Sequence, residues 1–400
     1  MRIHVLVLLI VTLGAGAASA QSLDIGANHT GISIGNSRVW NGLRINWRDV
    51  AVRRVNGMNL TLWRPGKNPD FRMNGLALGV VGPGVGTLNG IGIGLGGVVA
   101  ERVLSGLAVG GLGVVSQGAI HGFAVAGLGV VAEGDTRGTT IAGLGAVAEG
   151  SMRGLQVAGL GVVAQGDMTG VNVGGLGVVA EGHMLGINAA GLGVVAQGGI
   201  RGLNVAGLGV VAQGPVSGLN VGGLGVVAEG QLQGINIAGL ATVAQGNIEW
   251  VNVAGLAAVA EGELRLLNLA GLALVAERSV RGVNIAGAAV VGGDHVEGAT
   301  ATIGAVESGS TIRGITFGGY RVRAPSIEGL SASIAMMRTR RLRGLSIAGY
   351  NEVRGVQAGV TIGIYNSADE LRGIQVGVVN RAKNNRAPFR WLPVINAHLR

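Results

Sequence analysis

A repeat unit of 16 residues, called the word below, recurs through the middle of the chain without insertion or deletion. The phrase "GLG", or a close variant, begins at 111 and then every 16 residues as far as 287. The full unit reads G-φ-N-φ-A-G-L-G-V-V-A-(Q/E)-G-x-x-x, where φ is apolar. Self-similarity at a fixed period indicates a repeat array in which each unit packs on its neighbours in sequence.

The composition of the word favours strands over helices. Glycine accounts for 78 of the 400 residues and recurs two or three positions apart within the word, and each such glycine would cost a helix about 1 kcal/mol. The stretches "LNV" and "INI" alternate apolar and polar residues, which is typical of strands bounded by glycine turns. The sequence therefore predicts an all-β fold.

Two β architectures can use such a word. In a β-solenoid one word makes one turn of a coil, whereas in an up-and-down barrel it makes one strand and a turn. An inserted residue would shift the register of a stacked coil, but barrel loops tolerate changes in length. The constant period predicts a β-solenoid with 16-residue coils and distinct N- and C-terminal caps. The alternative is an outer-membrane β-barrel, because the word can hold a membrane strand of about 10 residues.

An asparagine recurs at the same position of eight consecutive units. In a parallel stack these side-chain amides would lie about 4.8 Å apart and could hydrogen-bond along the column. The alternative is that each asparagine serves a turn within its own unit. We expect a structural ladder of Asn172, Asn188, Asn204, Asn220, Asn236, Asn252, Asn268 and Asn284.

The other columns predict an inside and an outside. Stacked carboxylates repel one another unless water screens them, so Gln165 and its Glu or Gln equivalents should lie at a solvated edge. The first Val of the word varies most and is expected outside. We expect Leu155, Val157, Leu160 and Val163 to face the core, with a glycine corner changing the face between the last two.

The chain divides into four segments by composition. Its start has a basic residue, the apolar run "VLVLLIVTL" and the small residues "ASA" before Gln21, which together are typical of an export signal. No later segment reaches 18 uninterrupted apolar residues. The predicted segments are a signal peptide at 1–20, an N-terminal cap at 21–75, the repeat array at 76–293, and irregular repeats with a C-terminal cap at 294–400.

The net charge of +9 is concentrated toward the two ends of the chain. These basic residues either solubilise the caps or contact anionic envelope lipid or polysaccharide. Nucleic acid is not expected as a partner, because no basic and aromatic platform is present. With no Cys, the chain has no disulfides. The basic residues are Arg38, Arg44, Arg48, Arg53, Arg54, Arg64, Lys67, Arg72, Arg338, Arg340, Arg341 and Arg343.

No pattern of catalytic or metal-binding residues stands out. Ser33 lies in a G-x-S-x-G match, but that motif needs a strand-to-helix elbow and a histidine partner. The histidines are scattered without ligand spacing. We therefore expect no enzyme activity, no catalytic residues, no cofactor and no metal.

The C-terminal segment "LRGIQVGVVNRAKNNRAPFRWLPVINAHLR" resembles the ends of bacterial surface repeat-containing proteins. The resemblance implies an envelope or surface location and carries no catalytic residues. The sequence thus predicts an exported, non-catalytic structural or adhesive cell-envelope protein, the alternative being an outer-membrane barrel that passes solutes. The matching residues are Gly373, Gln375, Gly377, Asn380, Asn384, Asn385, Leu392, Pro393, Ile395 and Asn396.

Overall fold

The computed structural model describes residues 22–63 and 65–399, so the predicted signal peptide at 1–20 lies outside the described residues. Strands, turns and bends account for the regular structure of these residues, and no helix occurs among them. The chain forms two compact units, one ending at Gly175 and the other beginning at Leu176.

The first unit contains fifteen strands over its described residues. They are β1 (Ser22–Ala27), β2 (Thr30–Gly35), β3 (Val39–Asn46), β4 (Arg54–Thr61), β5 (Arg72–Gly79), β6 (Gly84–Gly94), β7 (Gly97–Gly110), β8 (Gly113–Ser116), β9 (Ala119–Ala126), β10 (Gly129–Ala132), β11 (Thr136–Ala142), β12 (Gly145–Ala148), β13 (Met152–Ala158), β14 (Gly161–Ala164) and β15 (Met168–Gly174).

The second unit continues the alternation of longer and shorter strands. They are β16 (Gly177–Ala180), β17 (Met184–Ala190), β18 (Gly193–Ala196), β19 (Ile200–Ala206), β20 (Gly209–Ala212), β21 (Val216–Gly222), β22 (Gly225–Ala228), β23 (Leu232–Ala238), β24 (Ala241–Ala244), β25 (Ile248–Ala254), β26 (Ala257–Ala260), β27 (Leu264–Ala270), β28 (Ala273–Ala276), β29 (Ser279–Ala286), β30 (Ala289–Gly292), β31 (His295–Thr302), β32 (Ala305–Ser308), β33 (Thr311–Gly318), β34 (Arg321–Arg323), β35 (Ser326–Ala382) and β36 (Trp391–His398).

Equivalent positions of successive words pair in parallel and in register. In the second unit β19 pairs with β21 so that Asn204 faces Asn220, and β20 pairs with β22 in the same way. In the first unit β11 pairs with β13 with the same offset of one word. Parallel pairing one word apart confirms the β-solenoid. The barrel alternative is wrong, because successive words would then have to pair antiparallel.

Each coil has three sides, which we describe on residues 199–214. Side a is Ile200 and Arg201, side b runs from Leu203 to Ala206, and side c is β20. Gly202 makes the corner between sides a and b with a φ of +123°. A Cβ at Gly202 would lie 2.0 Å from the carbonyl oxygen of Gly186 in the preceding coil, so the corner needs glycine both for φ and for space.

The predicted orientation of the apolar columns is wrong. In the coil containing Gln156, Leu155, Leu160 and Val163 are 38%, 48% and 38% exposed, while Val162 is fully buried. Gln156 shares the inward face of side b with an alanine, so alternation sends the neighbouring large apolar residues outward. The positions that face inward in the equivalent coil are Ile200, Asn204, Ala206, Val210 and Ala212.

Antiparallel strands lie at both ends of the described chain. In the first unit β1 pairs antiparallel with β2, and parallel coils begin with the pairing of β2 and β3. In the second unit β36 pairs antiparallel with the last part of β35. These strands cover the backbone edges that a stacked coil would otherwise leave unpaired.

Candidate functional surfaces

The repeated asparagines of the second unit form a hydrogen-bonded column inside the coil. Each Nδ2 donates to the Oδ1 of the asparagine one coil further on, as Asn204 does to Asn220 and Asn220 to Asn236, both at 2.8 Å. The same bond joins every neighbouring pair from Asn188 to Asn284, at 2.8 to 3.0 Å. All of these side chains are fully buried. An amide column of this kind satisfies polar groups that would be costly to bury alone.

The column changes composition beyond these residues. In the first unit Asn172 is also fully buried and faces Gln156 in register, which is followed outward by Thr140. Both amide atoms of Gln156 are buried and have no hydrogen-bond partner among the residues that the structure describes. In the second unit Asn284 donates to Thr300 at 3.4 Å, so hydroxyl side chains continue the column from there. The ladder is therefore strongest in the middle of the second unit.

A buried ion pair near the start of the first unit was not expected from the sequence. Arg44 and Asp49 form a salt bridge, and both side chains are 0% exposed. Asn59 and Thr61 donate to the second carboxylate oxygen of Asp49 at 3.0 and 2.6 Å, and Asn46 donates to the first at 2.7 Å. Arg44 thus belongs to a buried internal cluster and cannot serve as a surface contact, although its Nε and the Oδ1 of Asn46 have no hydrogen-bond partner among the described residues. The sequence offers no signal for this pair beyond the five-residue spacing of the two charges.

The polar residues of the C-terminal phrase close the last coils. Asn366 donates to Asn380 at 2.8 Å, and Asn380 donates to the carbonyl of Leu392 on β36 at 3.2 Å. Asn385 donates to Asn396 at 2.8 Å, which joins the loop before β36 to that strand. These residues hold the antiparallel end of the second unit, so the phrase that carries the family resemblance has a structural role here.

The turn after side c and the outward residue of side a form a polar edge. The Glu and Gln residues of the repeated word, such as Gln213, lie exposed in the turn. On side a, Arg265 bonds Glu249 and Glu263 at 2.9 and 2.8 Å, and Glu263 raises the pKa of that guanidinium. The alternation continues through Arg281, so opposite charges neutralise one another along this edge.

A groove along side c and the turn after it, in the later coils of the second unit, is mainly basic. It has a volume of about 640 Å³ and is lined by Arg323, Arg338, Arg340 and Arg354, and by Glu307, which pairs with Arg321. Arg338 and Arg354 both bond Glu352, at 2.7 Å each. Burial raises the pKa of Glu352, but the two guanidinium hydrogen bonds outweigh it and leave that pKa below its ordinary value. Arg323 and Arg340 make no ion pair within the described residues.

In the coils that precede this groove the outward faces of sides b and c are apolar, and we call this surface the apolar wedge. It consists of the outward residues of sides b and c and of the leucine corner between them, in the coils from 176 to 292. Its reference members are Leu203, Val205, Leu208 and Val211, which are 36%, 39%, 47% and 39% exposed. Four such side chains expose on the order of 200 Å² per coil, so three coils exceed the roughly 300–600 Å² of the largest patch on an ordinary monomer.

The wedge contains no charged side chain among its positions, and its corner has a continuous leucine column. The corner residues are 44–52% exposed. From Ala305 onward the position equivalent to Val211 becomes Glu307 and then Arg323, which ends the apolar surface on side c. The corner leucines are Leu176, Leu192, Leu208, Leu224, Leu240, Leu256 and Leu272.

Two bulky residues replace the corner glycine between sides a and b. Trp250 and Leu266 stand in register with Gly234 and Gly282 and have φ angles of 83° and 79°. This left-handed backbone costs a residue with a side chain about 1–2 kcal/mol. Both side chains are more than 60% exposed, so packing does not offset the strain. Sequence reasoning missed them, although they are the two interruptions in a glycine column that runs from 106 to 298.

Comparisons with known proteins found no matching family model, curated protein or solved structure. Across residues 22–63 and 65–399, no helix has the length and apolar character needed to cross a membrane. Within the same ranges, no group of three or more His, Asp or Glu side chains is arranged to hold a metal ion.

Proposed function

We propose that the chain is an exported, non-catalytic structural or adhesive protein of the cell envelope. The observation that carries the proposal is the use of polar residues in the coils. The buried asparagines bond one another, as at Asn204, Asn220 and Asn236, and do not converge on a cavity. Outward side chains repeat from coil to coil, which suits an extended contact surface and not a single reaction site.

Export and location rest on the sequence. The first 20 residues have the pattern of a signal peptide, and the C-terminal phrase resembles bacterial surface repeat-containing proteins. An adhesive partner of anionic polysaccharide or lipid headgroups fits the basic groove, because Arg323 and Arg340 have no carboxylate partner among the described residues. Guanidinium groups bind carboxylate, sulfate and phosphate through paired hydrogen bonds.

Fractionation of cells that produce the full chain tests the proposal. The protein is expected in the envelope fraction, trimmed at its N-terminus, and removal of residues 1–20 should retain it in the cytoplasm. Recovery of the untrimmed chain in the cytoplasm would contradict export. Arg323→Ala with Arg340→Ala should weaken binding to an acidic polysaccharide such as heparin, whereas Arg201→Ala on side a, away from the groove, should not.

A further inference from the structure

We propose that the apolar wedge of the second unit inserts into one leaflet of a lipid bilayer, with its leucine corner deepest. The inference rests on the proposed envelope location and names the partner of a surface other than the basic groove. Exposed apolar surface of this extent indicates an apolar partner, because removing it from contact with water lowers the free energy. The corner leucines from Leu176 to Leu272 would lie in the acyl chains.

The dimensions of the wedge match a leaflet. Side b after its corner has four residues, Leu203 to Ala206, and side c has the four residues of β20. At about 3.3 Å per residue each side is about 13 Å long. Half of the hydrocarbon core of a bilayer is about 15 Å thick. The wedge can therefore enter one leaflet but cannot cross both.

Most backbone polar groups at the leucine corner are bonded to neighbouring coils, which lowers the cost of placing the corner in hydrocarbon. Leu208 N donates to Leu192 O at 2.8 Å, and the N–H groups of Gly207 and Gly209 donate to Ala190 O and Leu192 O at 3.2 and 3.1 Å. Each N–H of the turn that would lie deepest is therefore bonded to the preceding coil, and Leu208 O accepts from Leu224 N and Gly225 N of the next coil, whereas the carbonyl of Gly207 accepts no backbone hydrogen bond among the described residues. An unbonded backbone group is costly in lipid, where no water replaces the partner. If the N–H groups of this turn were bonded to water instead, insertion would break those bonds and would be opposed.

Polar groups lie on both rims of the wedge. The exposed Gln or Glu turn follows side c, and the charged residues of side a, such as Arg265, precede side b. Trp250 and Leu266 lie at the boundary between sides a and b. Tryptophan is enriched at the level of lipid headgroups, where its ring is apolar and its N–H is hydrated. Exposure with an unfavourable φ indicates that Trp250 is retained for a contact.

The principal rival occupant is a second copy of this chain. A homodimer interface would also cover the apolar columns and would also have a polar rim, so the vesicle experiment below must distinguish it from lipid. Electrostatic attachment through the basic residues is a second rival. It requires anionic lipid and weakens with salt, whereas insertion of the wedge does not depend on lipid charge.

Flotation of the purified chain with vesicles tests the proposal. The chain should float with phosphatidylcholine vesicles and with vesicles that also contain phosphatidylglycerol, at low and at high salt. Leu192→Glu, Leu208→Glu and Leu224→Glu together should lower the bound fraction at least about tenfold, because three carboxylates would enter hydrocarbon. The matched control changes Gln197, Gln213 and Gln245 to Glu on the polar edge and should bind as the parent chain does.

Three results would overturn the inference. One is failure of the parent chain to float. Another is flotation only with anionic vesicles at low salt, which assigns binding to basic residues. The third is that the parent chain forms an oligomer without lipid, the triple leucine variant is monomeric, and neither protein floats. That result would assign the wedge to contact with a second copy. Loss of envelope location in cells would leave the vesicle result unchanged, so the two proposals fail separately.

A depth measurement covers the case in which the triple variant does not fold. The chain has no Cys, so Leu208→Cys and Gln213→Cys each give a single labelling site. A fluorescent label at 208 should be quenched by lipids brominated along the acyl chain, and a label at 213 should not. Equal quenching at the two positions would refute insertion by the leucine corner.

Discussion

Removal of one amide from the middle of the ladder tests whether the buried column holds the coils together. Asn220 accepts from Asn204 and donates to Asn236, both at 2.8 Å, and all three side chains are fully buried. Asn220→Ala leaves one donor and one acceptor without partners. At about 1–2 kcal/mol for each unsatisfied buried amide group, we expect the free energy of unfolding to fall by about 2–4 kcal/mol.

The end of the ladder provides the comparison. Asn284 accepts from Asn268 at 2.9 Å, but its own donor contacts to Thr300 and to Gly282 are both 3.4 Å long. Asn284→Ala therefore leaves one well-bonded donor without its acceptor, at a cost of about 1–2 kcal/mol. Gln213→Ala on the exposed edge is the surface control and should change stability by less than about 0.5 kcal/mol.

The double variant separates the ladder from simple loss of volume. Asn204→Ala and Asn220→Ala each break two amide bonds, but together they break three, because one bond is shared. The double variant also leaves two unpaired groups and not four. Its cost should therefore be smaller than the sum of the single costs by about 2 kcal/mol. Chemical denaturation measures all five variants, and additive losses, or losses equal to that of Gln213→Ala, would refute a cooperative ladder.

Three further predictions address the coil, its strained corner and its acid sensitivity. Deleting residues 207–222 removes one word and should preserve a cooperative thermal transition. Deleting residues 207–214 should abolish that transition, because the parallel register is lost. Equal melting of the two deletion variants would refute the 16-residue coil. Trp250→Gly should raise the free energy of unfolding by about 1 kcal/mol, since glycine accepts the left-handed φ, and Trp391→Gly on β36 should not raise it; a loss of stability at 250 would mean that packing holds the ring. The backbone N–H of Ser151, and then Arg137, lower the pKa of the Asp135 carboxyl, so its contribution is present above the ordinary Asp pKa and is lost as pH falls through the lowered value. Because that side chain is partly exposed, the contribution is well under about 1 kcal/mol. The stability of Asp135→Asn, measured by denaturation between neutral and acidic pH, should therefore fall slightly less in acid than that of the parent chain. The same pH profile for both proteins would contradict this role of Asp135.

The period of the word was sufficient to predict the stacking of coils. A fixed spacing determines which residues meet, and the pairing of Asn204 with Asn220 follows from it once the strands are parallel. The spacing does not determine which face of a strand is inside. Low variability at Leu160 and Val163 suggested a core position, yet both are exposed, while the more variable Val162 is buried. On side b the buried amide column fixes the inward face, so its neighbours, such as Leu155, face out; on side c Val162 faces inward, so alternation leaves Val163 outside.

Features that depend on distant partners were beyond sequence reasoning. Arg44 reads as one basic residue among many, and only folding brings Asn59 and Thr61 around its partner Asp49. The closing contacts of the C-terminal phrase, such as Asn385 to Asn396, also require the antiparallel return of β36. The sequence shows Trp250 as an interruption of the glycine column, but the energetic cost of this residue could be recognised only from its φ angle in the structure.

Side b has its polar and small residues inside and its large apolar residues outside, and this arrangement connects the ladder with the apolar wedge. Asparagine and alanine occupy the inside of side b, so the apolar residues of the same strand are available for an external partner. A solenoid with apolar residues inside would gain stability from their burial but would present a polar surface on this side. Hydrogen bonds of 2.8 to 3.0 Å between buried amides hold the second unit's coils in register without using those residues. The ladder and the wedge are therefore two consequences of one choice of inward face. A variant that weakens the ladder should disturb the outer surface as well, whereas charged substitutions at the leucine corner should leave the ladder intact.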